Sequence, residues 1–162
     1  MSTLNQRLTV LEYSGNGSGT SSTPQVYFKV NSNLSTNQVF SSGTIAQFNN
    51  IVFCYPSTSD FNTTTYKYTV PVDGIYQFSF RLYPNYPGSI NTDTIARFAI
   101  NKNGQDVSVS GSRLGNIEAT TILDSCLSGD LICIRCSLSN TNLNMYMSYL
   151  HSEFTGHLIS TL

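Results

Sequence analysis

Charged residues are scarce in this sequence. Only 10% of its 162 residues are Asp, Glu, Lys or Arg, whereas ordinary globular chains have about 25%. The formal net charge is −1, so neither sign dominates the surface. Because binding to nucleic acid or to an anionic membrane surface depends on a strong positive charge, the sequence predicts neither of these partners.

Long apolar runs are missing as well. No window of the sequence is apolar enough to cross a bilayer, which predicts that the protein does not insert into a membrane. Met1 is followed by a polar stretch instead of a basic start and an apolar run. We therefore expect no secretory signal and a protein that is made in the cytosol.

Cysteine is too sparse for a disulfide framework. Four cysteines in a chain of this length are expected to be free thiols, which fits assembly in the cytosol. Asn-X-Ser/Thr sequons begin at Asn16, Asn33 and Asn62. Without a secretory signal they carry little weight as glycosylation sites.

The residues that are abundant point to β-structure. Hydrophobic residues make up 40% of the chain and aromatic residues 12%, which excludes disorder. The polar character comes mainly from Ser, Thr and Asn, which suit turns and short strands. A length of 162 residues predicts one domain with a core that needs no metal or disulfide.

A leucine stripe opens the chain. Met1, Leu4, Leu8 and Leu11 follow the 3-4-3 spacing of a coiled-coil seam, which predicts a short stem over residues 1–13. On this interpretation the segment is the last piece of a multi-stranded stalk. About two heptads are too short to be stable alone in water, so the alternative is a frayed amphipathic turn.

The remaining chain divides into a linker and a head. Residues 14–24 are rich in Gly, Ser and Thr and predict a flexible linker. From residue 25 to residue 162, short runs separated by turn signals and without a helical period predict an all-β sandwich or jelly roll. The candidate strands are Val26–Val30, Ile45–Phe48, Asn50–Tyr55, Thr65–Val70, Gly74–Tyr83, Thr94–Lys102, Gln105–Val109, Ile117–Cys126, Leu131–Leu138, Leu143–Leu150 and Glu153–Ser160.

The stretch YTVPVDGIYQFSF shows how one of these strands begins. Apolar residues such as Tyr76 and Phe78 alternate with other residues, which predicts a strand with one buried face. Pro71 cannot donate a ladder hydrogen bond, so it ends the preceding strand. Asp73 and Gly74 supply turn residues, and we expect Gly74 to have a positive φ in a tight corner.

The same stretch resembles the signature of the complement C1q globular-head family, which is related in fold to the tumour-necrosis-factor (TNF) superfamily. In that signature an aromatic residue, a proline, a glycine and a Gly-X-Tyr-X-Phe strand occur in this order. NKNGQDV is similar to the family's Asn-Gly hairpin, LSGDLICI to its Gly-Asp turn, and SEFTGHLI to its terminal Phe-X-Gly strand. The matching positions are Tyr68, Pro71, Gly74, Tyr76, Phe78, Asn103, Gly104, Gly129, Asp130, Phe154 and Gly156.

The resemblance covers about residues 25–162 and implies a ten-stranded jelly roll that forms a compact homotrimer. GIYQFSF and LICIRCSL carry apolar residues on both faces, as expected if the second face met another subunit. The alternative is a two-sided core within one subunit. The chain departs from the family in lacking a collagen stalk and a secretory signal.

No catalytic constellation is recognisable, so we predict that the protein is not an enzyme. Cys133 and Cys136 have Cys-X-X-Cys spacing, but residues three apart on a strand point to opposite faces, which predicts core or interface thiols. His151 and His157 lack further ligands, so no metal site is predicted. Asp residues are scattered among turns, and we expect no cofactor. Calcium stays open as the alternative, because some C1q-like heads bind it.

These features predict a non-enzymatic trimeric head domain of a virion spike, head fibre or capsid-decorating protein, made in the cytosol and displayed on the virion surface. The stem would bind a capsid or fibre protein, and the loops would contact a host receptor. Aromatic residues give large contact areas, so the expected contact residues are Phe61, Tyr83 and Tyr86. The alternative is a secreted, extracellular C1q/TNF-like recognition or cytokine-like module.

Overall fold

The head folds into a sandwich of two sheets in a computed structural model of the chain. The predicted stem and nearly all of the predicted linker lie outside the described residues. Within the described part, no helix has the length and apolarity that crossing a bilayer requires. The structure describes residues 24–33, 38–82, 84–85, 95–113, 118–138, 145–147 and 152–162.

The described residues contain thirteen strands and one short 3-10 helix at Thr58–Asp60. The strands are β1 (Tyr27–Asn31), β2 (Gln38–Phe40), β3 (Asn50–Tyr55), β4 (Phe61–Asn62), β5 (Lys67–Thr69), β6 (Gly74–Leu82), β7 (Pro84–Asn85), β8 (Ile95–Lys102), β9 (Gln105–Arg113), β10 (Glu118–Cys126), β11 (Leu131–Leu138), β12 (Met145–Met147) and β13 (Glu153–Thr161).

Two five-stranded antiparallel sheets form the sandwich. The front sheet has the order β10-β6-β13-β1-β3, and the back sheet has the order β4-β5-β11-β8-β9. A small third sheet contains β2, β12 and β7. This arrangement confirms the predicted all-β jelly roll, since the ten strands of the two large sheets build the sandwich and the three others are short additions.

The core lies between the two large sheets and is dominated by aromatic rings. Along β6, Tyr76 and Phe78 are buried while the residues between them are partly exposed, as the alternation predicts. The ring of Phe28 on β1 stacks on Tyr68 with centroids 4.0 Å apart and meets Phe154 edge-on at 4.9 Å. Burying each such side chain contributes about 1.5–3 kcal/mol to folding.

Side chains hold together the turns at one end of the sandwich, which is called the base here. Asp73 Oδ1 accepts a hydrogen bond from the Ser128 backbone N–H at 2.7 Å. Asp130 Oδ1 accepts one from Asn103 Nδ2, also at 2.7 Å. Asn103 and Gly104 have φ values of 52° and 91°, the backbone that a tight Asn-Gly hairpin turn requires. The base turns span residues 71–73, 103–104 and 127–130.

The predicted positive φ at Gly74 is wrong. Among the described glycines, only Gly43, Gly104 and Gly129 have positive φ. Gly74 is instead the buried first residue of β6. A Cβ there would run into the Leu158 side chain and lie 2.6 Å from the Ser160 carbonyl oxygen. The position therefore excludes larger residues because β13 passes too close.

The predicted strand at residues 45–48 is reduced to a single bridge. Ile45 pairs with Arg135 on β11, and the Ala46 N–H donates to the Ile134 carbonyl at 2.8 Å. The segment thus runs beside β11 without forming a ladder. The short strands β2, β4 and β7 were not predicted, because two or three residues show no measurable alternation.

The second face of β11 is covered within the chain over part of its length. Ile134 and Cys136 face the core, while Cys133 is buried on the opposite face, 3% exposed. On that face Asn101 and Asp106 form a hydrogen-bonded network with the neighbouring Arg135. For Cys133, the two-sided burial that suggested a subunit contact therefore has an explanation within one subunit.

Candidate functional site

One of the three residues expected to contact a partner is buried instead of exposed. Phe61 is only 2% exposed and packs in the core, with its ring centroid 6.2 Å from that of Phe28. It belongs to β4 instead of a loop tip, so its predicted surface role is corrected to a packing role. Tyr83 and Tyr86 lie outside the described residues.

An exposed cluster of three rings lies at the β3 edge of the front sheet. Tyr27, Phe53 and Tyr55, called the aromatic patch here, are 40–47% exposed. The Tyr27 ring stacks on Tyr55 with centroids 5.6 Å apart and meets Phe53 edge-on at the same distance. These contacts fix the rings against one another and leave a large apolar surface open to solvent.

Strand register explains why these rings come together. Tyr27 on β1 is paired with Tyr55 on β3, and Lys29 is paired with Phe53. Directly paired residues share a face of the sheet, so all of these side chains point away from the core. A bulge after Lys29 leaves Val52 without a partner, which lets both Val52 and Phe53 be exposed.

Polar and charged side chains continue the same face toward the middle of the front sheet. His157 on β13 is paired with Tyr27 and with Gln77 on β6, and it is exposed. Glu153 forms two ion pairs: its Oε2 lies 2.8 Å from Lys29 Nζ, and its Oε1 lies 3.6 Å from Arg81 Nη2. These pairs are partly exposed, so each stabilises the fold by about 0–1 kcal/mol and mainly orders the surface.

A shallow groove of about 330 Å³ crosses β10, β6 and β13 on this face. Its floor is polar, since Ser79 Oγ and Thr121 Oγ1 share a hydrogen bond of 2.7 Å and Thr155 Oγ1 donates to the Ser79 carbonyl at 3.3 Å. The lining residues are Ser79, Phe80, Arg81, Ala119, Thr120, Thr121, Glu153 and Thr155.

Apolar side chains are exposed again at the opposite edge. Leu123 on β10 is 64% exposed and pairs with Gln77, in the row that crosses the sheet through His157 to Tyr27. Val107 and Val109 are exposed on β9, the edge strand of the back sheet that lies beside β10. The front face therefore has the aromatic patch at its β3 edge, Leu123 at its β10 edge and a polar middle. Val109 is paired with Ala99, which is paired with Arg135, so it lies on the outer face of the back sheet.

The fold can be compared with known structures. The globular domain of zebrafish complement 1qA is similar over 86% of this chain and 100% of that chain, with a TM-score of 0.67 and 16% identity. Eiger TNF from S. frugiperda is similar over 86% of this chain and 95% of that chain, with a TM-score of 0.58 and 14% identity. Murine APRIL at pH 5.0 is similar over 84% and 100%, with a TM-score of 0.58 and 12% identity.

The chain has a C1q/TNF-like jelly-roll fold. No protein-family model matches the sequence, and no curated protein matches it significantly. At identities of 12–16%, the likeness is one of fold, and the chemistry has to be argued from this chain's own residues.

The thiols of this C1q/TNF-like head are protected from reaction. All four cysteines are free and buried. Burial raises the pKa of Cys54 and of Cys126 to about 11, and that of Cys136 to about 12. Because the thiolate is the nucleophile and the metal ligand, thiols that stay protonated near neutral pH do neither chemistry.

Metal-binding geometry is likewise absent from the described part of the chain, where no three His, Cys, Asp or Glu side chains converge. His157 stands alone on the front face, and His151 lies outside the described residues. The front face exposes the rings of the aromatic patch and the Leu123 side chain, which are suited to contact with another macromolecule.

The positions that carry the C1q resemblance are structural in this fold. Tyr68, Tyr76, Phe78 and Phe154 are buried in the core. Gly156 has no room for a side chain, since a Cβ would meet the Phe28 ring and lie 2.8 Å from Phe78 Cδ1. The turn positions of the motif are at the base and are Pro71, Asn103, Gly104, Gly129 and Asp130.

Sequence reasoning missed the aromatic patch, although part of its signal was present. In QVYFKV the residues Val26, Phe28 and Val30 alternate with Tyr27, so an outward-facing tyrosine is readable from the pattern. That Phe53 and Tyr55 join it depends on β3 pairing with β1 at the sheet edge. This long-range pairing has no local sequence signal.

Proposed function

We propose that this protein is the non-enzymatic, homotrimeric head domain of a virion spike, head fibre or capsid-decorating protein. It acts in the architecture of the particle and in attachment to a host receptor, and it needs no cofactor, calcium included. The chain is made in the cytosol and ends on the virion surface, with its N-terminal stem joined to a capsid or fibre protein.

One observation carries the self-association: apolar side chains are exposed at opposite edges of the front face. The aromatic patch is at the β3 edge, while the exposed Leu123 is at the β10 edge. Two different surfaces that complement each other make a head-to-tail contact, and such contacts close into a ring when the rotation between copies allows it. The C1q/TNF-like fold supports a ring of three.

The composition of the chain and its free thiols support a role in a particle that is assembled in the cytosol. Charged residues make up 10% of the chain, so the polar surface depends on uncharged side chains, which suits dense packing in an assembly. All four cysteines are free, as expected for a protein that folds in a reducing compartment. The exposed rings of the aromatic patch support a role in contact, since aromatic side chains dominate the energetics of protein interfaces.

Two variants with opposite defects test the head-to-tail contact. Phe53→Ser damages the aromatic patch, and Leu123→Ser damages the opposite edge. Light scattering should show fewer trimers for each variant alone. A mixture of the two should form 1:1 dimers, because the intact edge of one variant meets the intact patch of the other. Leu127→Ser, at an exposed leucine of the base, is the matched control and should remain trimeric.

The head-to-tail contact would be contradicted if the light scattering of the mixed variants equalled the sum of the two variants measured separately. If Phe53→Ser and Leu123→Ser both remained trimeric, these two surfaces would likewise be excluded as the trimer contact. The single subunit should stay folded in every variant, since the substituted side chains are exposed on it. The melting temperature should fall only in the variants that lose the trimer, by the stabilisation that association adds.

Purified particles test the placement in a virion. Mass spectrometry of the particles should detect this chain, and added recombinant head should compete with particles for attachment to host cells. Absence of the chain from purified particles would contradict the structural role. Failure of the recombinant head to compete would contradict the attachment role.

One observation favours the alternative of a secreted, extracellular recognition or cytokine-like module. Asn62 begins a sequon and is exposed, and its Oδ1 accepts hydrogen bonds from the N–H groups of Thr64 and Thr65 at 2.8 and 2.9 Å. The sequon is thus presented on a surface turn. A glycan on Asn62 in the native protein would favour secretion, and an unmodified asparagine would favour cytosolic assembly.

A further inference from the structure

The N-terminal segment enters the head at the base. The Leu158 N–H donates to the Val26 carbonyl at 2.8 Å, and Thr161 is paired with Gly74. Because β1 and β13 are antiparallel, residue 24 lies at the same end of the sandwich as the C-terminal residue and the base turns. Residues 1–23 therefore start from the base, whatever path they take.

Two leucines are exposed at this base. Leu127 and Leu162 are 58% and 67% exposed. Both are tied to Asp73: Ser128, next to Leu127, donates its N–H to the Asp73 carboxylate at 2.7 Å, and the Leu162 N–H donates to the Asp73 carbonyl at 3.4 Å. The base thus places two bare leucine side chains on either side of one carboxylate.

One carboxylate of the base has no ion-pair partner in the described part of the head. Asp73 is exposed and has no ion pair among the described residues. In residues 1–23 the only cationic side chain is Arg7, and it lies between Leu4 and Leu8. The N-terminal segment that contains the leucine stripe therefore also carries a positive charge, opposite in sign to the Asp73 carboxylate.

We propose that residues 1–13 of the same chain dock on the base, so that their leucine stripe covers Leu127 and Leu162 and Arg7 pairs with Asp73. The ten residues of 14–23 can span about 33 Å when extended, enough for the segment to turn back on the base. A tether of this length keeps the local concentration of the segment in the millimolar range, so a weak contact suffices. The docked segment is part of the head and sets the direction in which the head leaves its attachment point. This inference goes beyond the proposed function and does not require the trimer.

Hydrogen–deuterium exchange of the full chain tests the docking. Amides of residues 4–12 should exchange about tenfold more slowly in the parent protein than in the double variant Leu127→Ser/Leu162→Ser, because two half-buried leucine contacts are lost. Val52→Ser is the matched control, since Val52 is an exposed apolar residue on β3 and not on the base. It should leave the exchange of the segment unchanged.

The role of the negative charge of Asp73 is tested by a variant that keeps the hydrogen bond from the Ser128 N–H. Asp73→Asn retains the oxygen that accepts from Ser128 but removes the negative charge. It should speed exchange of the segment about two- to fivefold at low salt, the effect of losing one surface ion pair. No change would contradict the pairing with Arg7.

Cross-linking identifies the partner of the stripe directly. The native cysteines are all buried, so a double variant Leu8→Cys/Leu162→Cys can be labelled selectively with a short bismaleimide. We expect a cross-link between the two introduced thiols of one chain. Cross-links only between position 8 of different chains would mean that the stems coil around one another, and this would overturn docking while leaving the trimer intact. Exchange of the segment at the rate of an unstructured peptide would overturn it as well, whereas a monomeric but docked chain would contradict only the proposed trimer.

Discussion

At the residue scale, the described glycines are needed for two different reasons, close packing and backbone conformation. Gly74 and Gly156 are needed because neighbouring side chains or backbone occupy the space of a Cβ. Gly104 is needed for a different reason, its φ of 91° in the hairpin turn, and nothing lies within 4 Å of its Cβ position. The two mechanisms predict different responses to substitution, which makes them separable.

Gly74→Val should destabilise the head by about 1–3 kcal/mol, because the added side chain forces β13 away from β6. Urea unfolding measures this as a lower midpoint. A larger residue at Gly74 should also disturb the backbone of Ser160, which lies 2.6 Å from the Cβ position. An unchanged midpoint would show that the two strands are not this close.

The buried thiols predict a loss of stability at alkaline pH. Burial raises the pKa of Cys136 from 9.0 to about 12 in the folded protein. The unfolded chain therefore releases the thiol proton first, so the contribution is present below pH 9 and is lost as the pH rises toward about 12. Urea midpoints measured between pH 8 and pH 10 should fall, and they should fall less in Cys136→Val. Equal slopes for both proteins would contradict the burial of this thiol.

At the element scale, the polar network on the outer face of the back sheet joins three strands. Arg135 on β11 contacts Asp106 on β9 at 2.6 Å, and Asn101 on β8 donates to the same carboxylate at 2.7 Å. Burial alone would raise the pKa of Asp106, but the hydrogen bonds from Arg135 and Asn101 outweigh it and lower the pKa. The network thus favours a charged carboxylate at the point where β9 is bulged.

This network predicts a dependence on acidic pH. Because the pKa of Asp106 is lowered in the folded state, its stabilisation is present above the ordinary carboxyl value of 3.8 and is lost as the pH falls through the lowered folded value. Asp106→Asn should cost about 1 kcal/mol or less near neutral pH, since both partners are partly exposed. As the pH falls through the lowered folded pKa of Asp106, the variant and the parent protein should converge in stability. A difference that stays constant throughout acid titration would contradict an ionised Asp106.

At the scale of the whole molecule, the sequence predicted the architecture better than the contact surface. The alternation through Tyr76 and Phe78 and the Asn103-Gly104 turn are local patterns, and local patterns were enough for a jelly roll. Phe61 was misplaced because a loop between predicted strands turned out to hold the edge strand β4. The aromatic patch depends on which strands become neighbours, and that information lies in long-range packing.

The head is proposed to associate with itself. The most direct measurement is the mass in solution, by light scattering, of the full chain and of a chain that begins at Pro24. We expect each to have three times the mass of its own single chain, which is 17.8 kDa for the full chain, because the proposed contact surfaces are on the head. A shortened chain that is folded but monomeric would mean that the N-terminal segment is the element that brings the chains together. A folded full-length chain with the 17.8 kDa mass of a monomer would contradict self-association altogether.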